Sequence, residues 1–479
     1  LGLAYSFGDH EGMMGKVLGK PGTTSIRVGW GMLHTSFEGA TDFNEIGDAP
    51  FGNYTGQNQS TFAAPFTNRA SGTSITNLFP VAPPPHHFSA SFPATGFPYT
   101  YLSDFYGAFG TIGSSPAFYN KNRLPYAENY ELSIQRQITS SDLLSVSYVG
   151  TQAHRLLASE SANPGIPSLC LSLLSVGCGP GGENNIYTQG GVTTAGTRGP
   201  FSAPYRNTPV NGNYIVPFGN DSYFITGGYS SYNSAQISWR HTSNRLQLLL
   251  GYTFSKSLDN SSGYGEQYNP INPRLSRGLS AFDSTHNFVA SYAYTLPFDK
   301  LDGPKKLTNG WQISGITRFS TGLPVTILET DDRSLLGTAF GGPITLPVDT
   351  PNLLGPVMKM NPRNPTHQYF STTSFGADTI GVEGTANRRF FHGPGVNNWD
   401  MALLKNTQLT ERLNLQFRAE FFNIFNHAQF ITPSGLASFN CPVSNQITPT
   451  GCTQSSSSFG VVTASTTGRI GQLSLKLSF

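Results

Sequence analysis

Residues 397–425 read NNWDMALLKNTQLTERLNLQFRAEFFNIF, and the fold turns on how that stretch alternates. In its first half Trp399, Met401 and Leu403 alternate with Asp400, Ala402 and Leu404. In its second half Leu413, Leu415, Phe417, Ala419 and Phe421 alternate with Asn414, Gln416, Arg418 and Glu420. A period of two predicts two facing strands around a turn, because successive side chains of a strand point to opposite faces. Each strand then has one apolar and one polar face. The apolar face could cover a soluble core or face lipid, and the rest of the chain has to separate these readings.

The end of the chain favours lipid. Leu473, Leu475, Leu477 and Phe479 fall on one face of the last eleven residues, with Gln472, Ser474, Lys476 and Ser478 on the other. Composition agrees: of 479 residues only 12% are charged and 12% are aromatic, against roughly 25% charged in an average soluble domain. A mean hydropathy of -0.23 is too polar for a helical membrane protein, and no run approaches the roughly 20 apolar residues of a spanning helix. The net charge of +2 gives no basis for a nucleic-acid partner.

Working outward, alternating runs recur at 1–7, 25–33, 128–138, 143–151, 234–241, 246–255, 287–296 and 310–320. Together with the stretch at 397–425 and the terminal run they make about eleven strands. Short links at 139–142, 242–245, 297–309 and 406–412 alternate with long ones at 35–127, 152–233, 256–286, 321–396 and 427–467. Long structureless links argue against a compact soluble domain. They suit an all-β antiparallel transmembrane barrel, a meander with short periplasmic turns and long extracellular loops.

That reading sets the orientation. Trp239, Phe298, Trp311 and Phe479 are expected near the periplasmic interface, and Phe254, Phe288, Phe319, Trp399 and Phe421 near the outer one. Arg240, Arg318, Asp400, Arg418, Glu420 and Lys476 fall on the lumen side, as structural pairs, plug contacts or a solute route. Leu415 is placed near mid-membrane on the lipid face, where Arg should cost about 2–4 kcal/mol, while Gln416→Arg should cost little.

Four cysteines form two locally spaced pairs, Cys170 with Cys178 and Cys441 with Cys452, in Ser/Gly/Pro-rich links. Zinc would need tighter pairs with nearby His; disulfides in an oxidising compartment fit better, with free thiols as the alternative. His86-His87 and Asp331-Asp332 lack the further ligands of a metal loop. Asp283 and His286 have no G-x-S-x-G serine beside them, and Gly263–Gly265 lacks the third glycine of a dinucleotide fingerprint. The expectation is no enzyme, no cofactor and no metal. Ligand contact is expected in the outer loops, for example residues 97–109 and 259–272.

Several stretches resemble a known family. NPRLSRGLSAFDSTHNF (272–288), GPGVNNWDMALLKN (393–406), RLNLQFRAEFFNIFNH (412–427), YNS (232–234) and GYTFSKSLDN (251–260) are similar to segments of Oar-like TonB-dependent outer-membrane receptors, and the closing strand ending on Phe479 resembles the C-terminal signature that the barrel assembly machinery reads. The resemblance covers most of residues 128–479. It implies a barrel in the outer membrane of a Gram-negative bacterium, closed by a plug, driven by the TonB system through an N-terminal box, and often preceded by a carboxypeptidase-regulatory-like domain.

The sequence carries no plug, TonB box, front domain or signal peptide, and it opens within a strand. Residues 1–479 are therefore expected to be a single barrel domain, the C-terminal part of a roughly 22-stranded parent. The expected function is TonB-dependent uptake or surface binding of a bulky solute such as an oligosaccharide or chelate. The alternatives are an adhesion or polymer-binding barrel without transport, and a secreted all-β binding protein.

Overall fold

In a computed structural model the chain is described at residues 1–8, 19–36, 116–209, 212–216, 218–220, 222–337, 349–442 and 447–479, with isolated positions among residues 12–72. Eleven strands form one antiparallel meander in sequence order: β1 (Gly2–Ser6), β2 (Thr24–His34), β3 (Tyr126–Gln137), β4 (Asp142–Ser161), β5 (Ser222–Thr242), β6 (Leu246–Asp259), β7 (His286–Thr295), β8 (Trp311–Ser320), β9 (Val396–Thr410), β10 (Leu413–Phe422) and β11 (Ile470–Ser478). Strands of nine to eleven residues are what a tilted crossing of a bilayer requires, and β7, β8, β10 and β11 have nine or ten.

The register follows the alternation. Leu403 pairs with Ala419 and Ile313 with Leu403, so the apolar residues of β8, β9 and β10 share one face. Leu415, Phe417 and Ala419 pair in turn with Leu477, Leu475 and Leu473. Among the described residues no second layer covers that face: Leu473 is 71%, Leu475 68% and Leu477 51% exposed, and Val28, Trp30, Leu132, Val146, Ile237 and Phe254 are exposed as well. Gly150 lies beneath the ring of Tyr130 and Gly315 beneath that of Tyr292, positions where a side chain would collide with the aromatic. Such glycines let a tyrosine lie flat across the sheet.

An aromatic chain runs along the end of the sheet nearest the long connections. Phe288 is 6.2 Å from Phe319, Phe319 is 5.7 Å from Trp399, and Trp399 is 5.6 Å from Phe425. At the short-connection end, the three-residue link 243–245 is braced by Arg245, which donates to both Asp299 oxygens at 2.9 and 2.8 Å.

Three sequence expectations need correction. β4 and β5 continue about ten residues beyond the expected strands, with register shifts at His154/Leu156 and Leu156/Ala158. The alternation fades there, but pairing persists because further strands dock on the extension, Pro116–Phe118 on Ser222–Phe224 and Gln267–Tyr268 on Ser159–Glu160, and Ala158, Ser159, Ser161 and Phe224 are buried. The long connection is accordingly 162–221. Leu415 stands third from the short-connection end of β10 rather than at mid-strand. Finally, the links at 162–221, 321–395 and 423–469, expected as structureless, fold together. Val325, Ile327, Phe370, Phe375, Phe391, Ala437, Phe439 and Phe459 form a buried cluster shared by 321–395 and 423–469. Cys170, Leu173, Cys178, Tyr187, Leu335 and Ile380 join 162–221 to 321–395.

Candidate functional site

Two surfaces could serve a solute: the polar inner face of the sheet and the layer of packed long connections. The inner face alternates with the apolar one by construction, so its residues are set by register. Arg240 lies opposite Leu143 and Leu249. Ile316 lies opposite Ser291 and Asp400, and Arg418 lies opposite Leu404. A cleft of about 560 Å³ brings Arg240, Asp400, Arg418 and Glu420 together. Arg418 is ion-paired with Glu420, which also accepts from Gln472. Asp400 accepts from the Asn398 amide at 3.0 Å and the Asn423 backbone N–H at 2.8 Å.

The floor of this cleft is apolar where alternation would put polar groups. Leu249 is 49% and Ile316 52% exposed, and Phe422 lies beside them. Arg318 stands in a second cleft of about 310 Å³, with Tyr232, Gln236, Thr253 and Phe282, and its Nε donates to Asn287 at 3.3 Å. Among the described residues neither Arg240 nor Arg318 meets a carboxylate. Lys476, opposite Gln416, lies on the exposed last strand away from both clefts.

Above the sheet, a set of buried charges fastens the long connections to β6. Arg388 binds Asp259 at 3.1 Å and Glu266 at 2.9 Å, while the fully buried Arg389 binds Glu266 and lies 3.9 Å from Asp259. The two guanidiniums hold the Glu266 carboxyl below its ordinary range against the opposing effect of burial, and burial lowers the Arg388 guanidinium. Asp283 bonds His392 at 2.8 Å and accepts from the Ser257 backbone N–H, whereas His286 contacts the Tyr252 hydroxyl at 2.8 Å. Asp283 and His286 therefore serve separate structural contacts. Asp259, Asn260, Ser261, Gln267 and Asn269, in the segment expected to meet ligand, are buried within this layer.

Acidic groups are concentrated in the same layer. Asp331 accepts from the Ser438 hydroxyl at 2.8 Å and from the Phe439 N–H, and Asp332 accepts from the Gly337 N–H at 3.0 Å. Glu329 and Asp378 are fully buried, with both oxygens of each lacking a hydrogen-bond donor, although Arg333 approaches Asp378 at 3.2 Å. Burial and the surrounding carboxylates raise Glu329 to about 9 and Asp378 to about 11. Burial, with Asp332 nearby, raises Asp349 to about 7. No three His, Cys, Asp or Glu side chains among the described residues are grouped so as to hold a metal. Cys170 is bonded to Cys178 and Cys441 to Cys452. His86-His87 and residues 97–109 lie outside the described residues.

The sequence did not single out Arg388, Arg389, Glu266, Glu183, Glu329 or Asp378. The available signal was the Arg388-Arg389 pair running into Phe390-Phe391 in a charge-poor chain. Paired arginines beside aromatics are placed to enter a core only if acids meet them there.

Solved structures that align with the chain include outer-membrane proteins. The transporter YddB from Escherichia coli aligns with a TM-score of 0.41 at 12% identity, over 95% of this chain and 38% of its own. The ferric-catecholate import receptor Fiu from E. coli K12 aligns at 0.34 and 8%, over 95% and 33%. The pyoverdine receptor FpvA from Pseudomonas aeruginosa PAO1, solved with pyoverdine bound, aligns at 0.34 and 8%, over 95% and 34%. The chain thus spans little more than a third of these proteins. No curated protein matches it. Residues 2–472 match the family described as "Outer membrane beta barrel domain", and with its uncovered apolar face and meander of strands the chain belongs to that outer-membrane family.

Proposed function

We propose that the chain forms the wall and loop layer of a TonB-dependent, Oar-like receptor that takes up a bulky solute, such as an oligosaccharide or chelate. The single observation that carries this reading is the inner-wall cleft joining Arg240, Asp400, Arg418 and Glu420 beneath a packed loop layer. A wall that only faced water would need no apolar floor at Leu249 and Ile316, and the guanidiniums of Arg240 and Arg318, which meet no carboxylate among the described residues, are suited to acidic or hydroxyl-rich surfaces. In this reading residues 1–479 act as one barrel domain of a larger protein, whose N-terminal part supplies the plug and the contact with TonB. Phe479 and its alternating strand serve as the signal for the barrel assembly machinery, and no chemistry is performed on the solute.

The test is capture of the full-length protein from outer membranes by the periplasmic domain of TonB, with uptake compared in cells that have or lack TonB. Capture together with TonB-dependent uptake is expected. Surface binding that persists unchanged without TonB, with no capture, would overturn the transport reading and leave an adhesion or polymer-binding barrel.

A further inference from the structure

Two pairs of carboxyl groups in the loop layer lie against each other, with Arg198 beside the first and Arg333 beside the second. Glu183, on the 162–221 connection, faces Asp332 on 321–395. Glu329 faces Asp378, both within 321–395. Glu183 is 2% exposed and its Oε1 meets no donor; Glu329 and Asp378 are fully buried, and none of their four oxygens meets one. Two ionised carboxylates cannot share such a contact in a dry site, whereas one proton between them supplies the missing donor and removes a charge.

The surroundings favour a proton over a metal ion. Arg333 fills the position beside Asp378 at 3.2 Å, and its Nε also donates to the Asp378 carbonyl at 2.9 Å. Glu183 has Arg198 as its cationic neighbour, with Tyr187 close by. Asp349 and Asp331 complete the charges around Glu329, and each is already held by backbone N–H groups. No third metal-ligating side chain among the described residues joins either pair.

The pairs sit where the layer is joined. Beside Glu183–Asp332, the Gly165 N–H donates to Leu336 at 2.7 Å and Arg198 donates to the Gly337 carbonyl at 2.9 Å, both crossing from 162–221 to 321–395. Beside Glu329–Asp378, the strand Leu328–Glu329 pairs with Leu436–Ala437 of 423–469. We propose that Glu183–Asp332 and Glu329–Asp378 each hold a shared proton and together form an acid-set clasp across the three connections, which loosens as the medium turns alkaline.

The sign follows from linkage. Burial, the first cause in each case, raises the closed-state affinity of these acids for protons; once the layer opens they ionise as ordinary carboxyls near pH 4.5. The clasp is therefore fully set below that pH and is progressively lost as pH rises toward about 9, the value for Glu329. Each proton released on opening multiplies the open population about tenfold per pH unit inside that window.

Hydrogen exchange of the detergent-extracted full-length protein tests this, with protection factors corrected for intrinsic exchange, at residues 331–337 and 375–380. Between about pH 5.5 and about pH 8.5, protection should fall by at least about tenfold per unit, while that of β6 to β8 stays level. The double variant Glu183→Gln/Glu329→Gln replaces each shared proton with an amide N–H that can donate to the partner carboxylate. It should retain loop protection and flatten the slope. Level protection in the unmodified protein, or an undiminished slope in the double variant, would overturn the proposal. So would recovery of alkaline protection on adding millimolar calcium, since the pairs would then be a cation site.

Discussion

Leu249 and Leu250 are adjacent, chemically identical and on opposite faces of β6, so a single substituent placed at each measures the two media directly. Leu250 lies opposite Trp239 and Ala290 on the apolar face; Leu249 faces the cleft opposite Arg240. Leu250 is the fifth residue of β6 counted from the short connection. At about 3.4 Å per residue and a tilt of about 40°, that is about 10 Å of depth, close to the middle of an apolar band about 25 Å tall. Leu250→Arg should therefore cost about 2–4 kcal/mol. Leu249→Arg keeps a water-facing head on a half-exposed site, and its main penalty is like-charge repulsion from Arg240, no more than about 1 kcal/mol. Urea titration of the protein refolded into lipid vesicles would read both as shifts in unfolding midpoint. Equal losses at the two positions, or a larger loss at Leu249, would refute the assignment of faces.

Further outcomes follow from the loop layer and the short connections. Arg389→Met should cost about 3–5 kcal/mol of local stability, because it strands Glu266 as a buried charge with only Arg388 left to it; hydrogen exchange at 262–267 reads this. Replacing both Cys441 and Cys452 with Ala should weaken the 423–469 segment by about 3 kcal/mol or less, seen as faster proteolysis there with β6 to β10 intact. The exposed pair Arg245–Asp299 should show only a weak coupling in a double-mutant cycle, shrinking as salt is added, even though Arg245 holds the Asp299 carboxyl below its usual range.

The sheet was legible because its two faces meet different media. Every other residue from Trp399 to Leu403, and from Leu415 to Phe421, carries the same sign of hydropathy, and the ladder pairs them accordingly. The outer half of the ribbon formed by β4 and β5 was not legible, since residues 222–233 are rich in Ser, Gly and Tyr and show no alternation of polar and apolar residues. Parity alone puts Arg240, Arg318, Asp400, Arg418 and Glu420 on one face of the sheet. What parity could not supply was the gathering of four of them around one cleft, which depends on the lateral order of six strands, or the apolar floor at Leu249 and Ile316. The loop layer was least legible. Val325, Phe370, Phe391 and Phe459 are far apart in sequence and show no period, so only tertiary contact marks them as a core.

Residues 321–395 hold three other long connections. They meet 162–221 at Leu336, 260–285 through Arg388 and Glu266, and 423–469 through Leu328 and Leu436. Elements joined through one hub cannot yield to a visitor separately. A sensor attached to any of the four should report the same relaxation time, as befits a lintel that shifts whole or not at all.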